Sequence, residues 1–459
     1  MDIRTAPLAL ALCIAASACA PDVQLAERPQ VKAAKWQAAL PAQAVTPQAL
    51  GAALGSSELQ GLIDRAVAAN ADIGAARARV TQARAQLRVA RAAMLPVVNA
   101  SAGLNATQTD NTGGSAFDFS AGSAGLDVSW DADLFGRARA GRRAALSRAE
   151  AAAFDRVAAA LAVEAEVARS YVQHAVLAER IALLDRNLAN ARELDRIIRI
   201  RLREGEATKV DTGLQSIEVR QLEAERLRLV EAQTQTRNAL AVLVGQEAPL
   251  FAAPAADLAA LTVPEINSGQ PAELLVRRPD MRAAEARIRA ASGDVEQARA
   301  AFLPNLTLNA GALGQAASLS GPYGITLTAG AALLAPIFNG GRLRGELAFA
   351  TAQQAETVEL YRGTLLAALA EAEDALTAVE KSRARQALLD QVVEEARTTA
   401  RLTRLQYIEG EADLRFVIDA QQLLVQAEDA RAIALQERLN AAIDFYRAIG
   451  GSSTPPHQG

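Results

Sequence analysis

The sequence predicts a mainly α-helical chain that also contributes strands to a membrane β-barrel. Its composition is rich in alanine and 51% hydrophobic, yet only 4% aromatic, which favours long helices packed through small side chains. One helix-strand-strand-helix-helix plan is written twice along the chain. Two stretches in each copy show the two-residue alternation of strands, at a length of about ten residues that crosses a bilayer at a tilt.

Charge and composition exclude several classes of protein. The formal net charge is -4, and acidic and basic residues are interspersed, so no basic face is present to bind nucleic acid. A group of arginines is mixed with Glu193, Asp195 and Glu204, and we interpret it as a solvated helix face; its members are Arg192, Arg196, Arg199, Arg201 and Arg203.

The residues that most often carry catalysis are scarce. Cys13 and Cys19 are the two cysteines, and His174 and His457 are the two histidines. No nucleophile elbow, phosphate loop or metal-ligand cluster appears in the sequence. The sequence therefore predicts a protein without a cofactor or a metal, and not an enzyme.

The N-terminus has the pattern of an export signal. Arg4 precedes an apolar stretch, and small residues follow up to Ala18, so residues 1–18 are predicted to be a signal peptide. The run from Ala16 to Cys19 resembles a bacterial lipobox, which would make Cys19 a lipidated first residue and residues 19–55 a lipid-anchored extended segment. The same run also fits ordinary signal peptidase cleavage, which cuts before Cys19 as well.

An internal duplication with a period of roughly 205 residues organises the rest of the chain. Leu95 and Pro96 in the first copy correspond to Leu303 and Pro304 in the second. The quartet beginning at Glu204 recurs unchanged from Glu409. We assign residues 56–247 to the first repeat, 248–270 to a proline-containing connector, 271–450 to the second repeat and 451–459 to a tail.

Each repeat is predicted to carry two strands, at about 97–109 and 119–134 in the first and about 304–314 and 325–337 in the second. Four strands cannot close a barrel, and an open sheet edge in lipid would leave backbone groups unpaired. Two copies would supply eight strands, which just close, and three would supply twelve around an open lumen. The strand count alone leaves both possibilities open.

The remaining sequence of each repeat is predicted to be helical. Residues 137–203 contain no proline and one glycine, Gly141, so one helix of roughly 67 residues and about 100 Å is expected. Flanking helices are expected at 58–94 and 207–243, each about half as long. Gly205 and Gly410 would end the long helices at hairpin tips.

With these features, the chain resembles the TolC and OprM group of outer-membrane efflux proteins. The most specific elements are Arg278-Pro279-Asp280, the segment 336–341 and the segment 407–421. The resemblance implies a homotrimer in which a twelve-stranded barrel crosses the outer membrane and a long α-helical barrel extends into the periplasm. The lipobox is similar to that of the lipoprotein branch, whose members serve resistance-nodulation-division pumps.

The resemblance also implies roles for individual residues. Asp419 and Phe416 match two positions of the family's periplasmic aperture, although the family often has an acid where Phe416 stands, and Asp211 matches an aspartate of the first repeat. Tyr407 matches a tyrosine that ties neighbouring helices in the closed state. The expected docking tips for a periplasmic adaptor are Gly205, Glu206, Gly410 and Glu411.

The function implied is a passive exit duct of a tripartite efflux system, anchored in the outer membrane by lipid and driven by an inner-membrane pump through the adaptor. A type I secretion duct for polypeptides is a close alternative within transport. A periplasmic coiled-coil scaffold without a barrel is an alternative from another class.

Overall fold

The computed structural model describes residues 21, 23–29, 36, 49–109, 117–254, 257–264, 277–316 and 322–451. Within them the first repeat contains α1 (Leu50–Ala53), α2 (Ser57–Ala69), α3 (Ala71–Ala92), β1 (Val97–Thr109), β2 (Phe117–Ala132), α4 (Arg137–Glu204) and α5 (Lys209–Leu243). The second contains α6 (Pro279–Ala300), β3 (Asn305–Ala316), β4 (Tyr323–Leu334), α7 (Arg342–Glu409) and α8 (Leu414–Ala448). Two short 3₁₀ helices, Ala248–Leu250 and Leu258–Ala260, lie between the repeats.

The lengths of the helices confirm the duplicated plan. The long helices α4 and α7 each have 68 residues, and the helices that follow them, α5 and α8, each have 35. The helices that precede the strands, α3 and α6, each have 22. The helices of the two repeats therefore match in length, and so do the hairpins that they form.

Contacts divide the chain into two compact units. The first contains Ala78–Ala153 and Ala283–Gly363 together with the described residues before position 30. Its apolar core includes Val295, Leu347 and Ala350. The second contains the remaining described residues, and its core includes side chains that are fully buried, among them Leu59, Leu62, Leu240 and Ile443.

The four strands form one antiparallel sheet in the order β1-β2-β3-β4. Val97 pairs with Ser129, Ala132 with Leu306, and Asn305 with Leu334, so each strand lies beside the next one in sequence. Among the described strands, β1 and β4 each pair with a single neighbour. The sheet therefore has two edges that this chain leaves open.

The register gives the sheet two faces of opposite character, because directly paired residues share a face and successive residues alternate. From 98 to 104 in β1, from 122 to 132 in β2 and throughout β3 and β4, one face carries apolar side chains and glycine, including Leu104, Leu126, Trp130, Leu308, Ile325 and Leu327. The other face carries Asn99, Asp127, Asp131, Thr307 and Thr328. Asp131 accepts hydrogen bonds from Thr307 Oγ1 (2.7 Å) and Asn305 Nδ2 (3.1 Å).

The predicted first half-length helix is in fact two helices, because Asn70 interrupts it. Its backbone is extended, with φ -62° and ψ 134°. The Asn70 side chain caps α3 by accepting from the backbone N–H of Asp72 (2.9 Å) and Ile73 (3.3 Å). Its Nδ2 donates to the carbonyl of Leu243 at the end of α5 (3.0 Å). The side chain of Asn70 therefore links the break between α2 and α3 to the end of α5.

Further boundaries differ from those predicted. β2 and β4 begin two residues earlier, at 117 and 323, and β3 ends two residues later, at 316. The segment 19–55, expected to be extended, contains the one-turn helix α1. β2 ends two residues before 134, because Asp133 instead caps α4 by accepting from the N–H of Ala138 (3.0 Å) and Arg139 (2.9 Å). β4 ends three residues before 337, because Pro336 has no N–H to donate to a ladder.

Arg278, in the Arg-Pro-Asp motif, joins three parts of the second unit. It is buried, and its guanidinium donates to Asp280 (2.7 Å), Glu371 (2.9 Å) and the carbonyl of Ala448 (3.2 Å). Burial opposes its charge, but the hydrogen bonds and charges of Asp280 and Glu371 outweigh burial and raise the pKa of Arg278. The motif therefore ties the start of α6 to the end of α8.

The described helices do not include an apolar stretch long enough to span a bilayer. The predicted signal peptide, Cys19 and the tail from 452 onward lie outside the described residues.

Candidate functional site

The two hairpin tips lie at Gly205 and Gly410, as predicted. Each glycine has a positive φ, +83° and +82°, in the left-handed region that ends helices. The N–H of Glu206 donates to Arg201 O, and that of Glu411 to Gln406 O, both at 2.8 Å. Apart from the adjacent residues of the chain, no described atom lies within 4 Å of a Cβ built on either glycine, so backbone conformation rather than space demands glycine here.

The helices that leave the two tips begin differently. α5 has a capping box, in which the N–H of Asp211 donates to Thr208 Oγ1 (3.2 Å) and the N–H of Thr208 donates to Asp211 Oδ2 (2.7 Å). α8 begins after Asp413, whose side chain makes no cap hydrogen bond. The carboxylate of Asp211 therefore caps the start of α5. That Asp211 lies near an aperture stays a prediction.

Tyr407 lies in the last turn of α7 and is 8% exposed. It packs in a cluster with Leu194 and Ile198 of α4 and Leu414 and Val417 of α8. The structure thus places Tyr407 where three helices meet. Its role in a closed state stays a prediction.

Arg201 reaches from the last turn of α4 to the last turn of α7. Its guanidinium donates to the carbonyls of Tyr407 (3.2 Å) and Ile408 (2.9 Å) and lies 4.8 Å from the centre of the Tyr407 ring. The last carbonyls of a helix have no partner within it and carry a partial negative charge. Arg201 therefore satisfies the end of α7 by hydrogen bonds, charge and ring contact together.

This contact corrects one sequence interpretation. Arg196 and Arg199 do lie on an exposed face and pair with Glu193 and Asp195, and the hydrogen bond from Arg196 lowers the pKa of Glu193. Arg201 does not belong to that solvated face. In the sequence, Arg201 lies four residues before Gly205, which ends α4, and the second repeat has a matching glycine at 410. This position near two helix ends is the sequence feature from which the contact could have been predicted.

The predicted aperture residues Phe416 and Asp419 lie one turn apart near the start of α8, and both side chains are exposed. The residues between them, Val417 and Ile418, are buried in the cluster around Tyr407. Phe416 and Asp419 therefore share the face of α8 that points away from its packed side.

The described residues contain no group of three or more histidine, cysteine, aspartate or glutamate side chains arranged to hold a metal. His174 is half-buried, and burial together with the charge of Arg237 lowers its pKa. A neutral imidazole is consistent with its position among packed helices.

Long paired helices with glycine tips and a small sheet of one apolar and one polar face define the class of outer-membrane channel proteins. Comparison with known proteins agrees. The profile described as "Outer membrane efflux protein" matches residues 62–246 and 271–451. The chain belongs to the outer membrane efflux protein family.

Individual relatives cover almost the whole chain. It is 37% identical to the pyoverdine export outer membrane protein OpmQ of Pseudomonas putida, over 91% of each chain. It is 32% identical to the outer membrane protein OprJ of Pseudomonas aeruginosa, over 86% of this chain and 84% of OprJ. The solved structure of the outer-membrane channel OprN superimposes with a TM-score of 0.85 at 26% identity, covering 94% of this chain and 98% of OprN.

Membership gives the chain its role and location. It is an outer-membrane component of an efflux system. Channels of this family work as trimers with adaptor proteins and inner-membrane efflux pumps.

Replacing Arg201 with methionine should loosen the second tip, since the carbonyls of Tyr407 and Ile408 lose a charged donor. Hydrogen bonds to charged groups contribute about 1.5–3 kcal/mol, and part of this is recovered from water here because Arg201 is only half-buried. We expect amide hydrogen exchange of the peptide around Gly410 to speed up by roughly 5- to 30-fold, which corresponds to about 1–2 kcal/mol. Arg203→Met, at an exposed position in the same turn, is the control. Equal exchange in both variants would contradict the role of Arg201.

Proposed function

We propose that three copies of the chain form a passive exit duct for small molecules across the outer membrane. An adaptor and an inner-membrane pump of the resistance-nodulation-division type would supply cargo and energy. The observation that carries the proposal is the sheet, which combines one apolar face, one polar face and two open edges.

The two faces match the two environments of a water-filled pore in lipid. The apolar face, with Leu126, Leu308 and Leu327, suits contact with hydrocarbon. The polar face, with Asp127 and Asp131, suits contact with water, because a charged side chain costs several kcal/mol at the bilayer centre. In the proposed duct, the polar face lines the lumen.

The open edges of β1 and β4 require additional copies. Each unpaired backbone group in lipid costs several kcal/mol, so the open edges must pair with strands of other copies until the sheet forms a closed barrel. Three copies would give a closed sheet of twelve strands, wide enough for an aqueous lumen, whereas eight strands leave an interior that side chains fill. The trimeric state of the family supports three.

A small-molecule cargo is supported by the relatives. OpmQ is named for the export of pyoverdine, and another relative, TtgI of Pseudomonas putida, is named as part of a toluene efflux pump. A deletion strain that became drug-sensitive while secreting its usual proteins would agree with this cargo, and the opposite phenotype would favour the type I secretion alternative.

The aperture of the duct would lie at the exposed face of α8 near its start. In a trimer, Asp419 would contribute three carboxylates and Phe416 three aromatic rings. Carboxylates around a narrow opening attract cations, whereas the rings narrow it without charge. We therefore propose that Asp419 sets the ion preference and that both residues restrict the passage.

Asp419→Ala should raise single-channel conductance in planar bilayers and reduce cation preference, because the change removes both bulk and charge. Phe416→Ala is the matched variant. It should raise conductance while leaving cation preference intact, because it removes bulk alone. Unchanged conductance and selectivity in Asp419→Ala would show that this residue lies outside the aperture.

The tips Gly205 and Gly410, with Glu206 and Glu411, would meet the adaptor. They end the hairpins, and all four residues are exposed. The left-handed backbone at both glycines makes the shape of each tip sensitive to any Cβ.

Gly410→Val should abolish efflux and keep the trimer, because valine is strained at a φ of +82° and the change is confined to the tip. Gly213→Val is the control, since Gly213 lies within α5 at an equally open position without a positive φ. Drug susceptibility and native gel mobility measure the two properties. Normal efflux in Gly410→Val would remove the tip from the docking surface.

We also propose that Cys19 is lipidated and anchors the mature chain. The segment that follows it packs on the first unit: Val23 joins the cluster of Val295 and Leu347, and Gln354 bonds both the N–H and the C=O of Ala26 (3.0 and 3.1 Å). Phe302, three residues before β3, packs against the same cluster. Four residues of chain limit the reach from Val23 to about 14 Å, which suits an anchor near the base of the sheet.

Intact-mass spectrometry tests the anchor. The mature protein should begin at Cys19 and carry the mass of acyl chains, and Cys19→Ser should lose that mass. Cys13→Ser should leave the mature mass unchanged, since residue 13 belongs to the predicted signal peptide. A mature chain that begins with an unmodified Cys19 would contradict lipidation.

A further inference from the structure

The polar face of the sheet carries carboxylates and no basic side chain to balance them. Asp127 and Asp131 lie on this face of β2, and both are exposed. None of the residues of the described strands β1, β2, β3 and β4 is lysine, arginine or histidine. The whole chain has 48 basic residues against 52 acidic ones, so the lack of positive charge is particular to the sheet.

The hydrogen bonds that these carboxylates accept come from neutral groups. Asp127 accepts from Asn99 Nδ2 at 3.1 Å, across the pairing of β1 with β2. Asp131 accepts from Thr307 Oγ1 and Asn305 Nδ2, at the start of β3. Such donors hold the side chains in place without cancelling their charge.

A third acidic residue at this end of the sheet shows the contrast. Asp133 follows β2 and forms an ion pair with Arg139, whose Nε lies 3.1 Å from its Oδ2. Opposite charges so close together largely cancel each other's field at longer distances. Asp127 and Asp131 form no ion pair with the residues that the structure describes, so their field extends away from the sheet.

The spacing of the two carboxylates determines how they would be arranged in the proposed barrel. Four residues of strand span about 13 Å, and an even offset keeps both side chains on the same face. Asp131 is the last but one residue of β2, beside the turn into α4, and Asp127 lies further into the sheet. Three copies would therefore form two rings of three carboxylates each, one above the other along the lumen.

We propose that the rings of Asp127 and Asp131 form a second cation-selective element of the duct, which acts in the barrel and independently of Asp419. This inference rests on the proposed trimer, with its polar face toward the lumen, and adds the residues that set the ion preference there. Like charges around a water-filled passage attract cations and repel anions. Small cations would therefore pass the barrel more readily than small anions.

Salt should affect this element strongly. The field of a charge extends about 30 Å in 0.01 M salt but only about 3 Å in 1 M salt. Because a barrel of about twelve strands leaves an open lumen, ions pass the carboxylates at a distance rather than in contact. The cation preference that the barrel contributes should therefore be large in dilute salt and nearly absent in concentrated salt.

Reversal potentials in planar bilayers test the element in the full-length protein. The parent is Asp419→Ala, which lacks the carboxylate proposed at the aperture, and the test variant adds Asp127→Asn and Asp131→Asn. Asparagine keeps an oxygen that can accept the same hydrogen bonds, so the change removes charge and little else. The ratio of cation to anion permeability should fall at least about twofold in roughly 0.01 M salt, and the two proteins should agree in roughly 1 M salt.

A second pair of variants changes the charge without altering either aspartate. Thr328 shares a row with Asp127, because Gly311 pairs with both residues. Two strand spacings separate them, about 10 Å, and glycine leaves the space between them free of side chains. In the same parent, Thr328→Lys should lower the cation preference in dilute salt, whereas the uncharged Thr328→Gln should leave it unchanged.

The outcomes separate this inference from the proposed function. If neither set of charge-changing variants alters the permeability ratio in dilute salt, the barrel carries no selectivity, while the exit duct still stands. If the unmodified protein opens no channel in bilayers, both proposals are wrong. A lower ratio with the asparagine variant and with Thr328→Lys, but not with Thr328→Gln, supports the inference.

Discussion

Water does not reach a backbone N–H or C=O group in the hydrocarbon core of a bilayer, and each group without a partner there costs several kcal/mol. Among the described strands, β1 and β4 each satisfy one side only, so the sheet is incomplete by construction. In the proposed duct, the two faces follow from the same environment, because the apolar face would meet lipid and the face with Asp131 would meet water.

The two tips have the same backbone conformation but are stabilised by different contacts. Both long helices end at a glycine with the same hydrogen bonds, and each glycine lies in the same four-residue sequence, Glu-Gly-Glu-Ala. The first tip stabilises its own outgoing helix through Thr208 and Asp211, whereas the second lacks a side-chain cap at Asp413 and receives Arg201 from the first repeat. The second hairpin therefore depends on the first for its local order.

Much of the fold could be predicted because its signals are local. The absence of proline between 137 and 203 predicted one long helix, which ends at Glu204 in the structure. The glycines at 205 and 410 predicted both tips. The ends of β2 and β4 are set by nearby residues, Asp133 and Pro336, whereas the break at Asn70 also involves a partner far along the chain. Asn70 breaks a helical pattern because its side chain bonds the carbonyl of Leu243, a contact that no window of sequence around Asn70 contains.

The sequence by itself determined the class of protein, the duplicated plan and the positions of strands and tips, because periodicity, proline and glycine act on neighbouring residues. Only the tertiary structure decided how strand residues divide between two faces and which arginine of a charged helix binds the end of a neighbouring helix. Those outcomes join residues such as Asp131 with Thr307 and Arg201 with Tyr407, each pair separated by well over a hundred residues. Hydrogen bonds of that kind depend on how helices and strands pack, and local sequence does not encode packing partners.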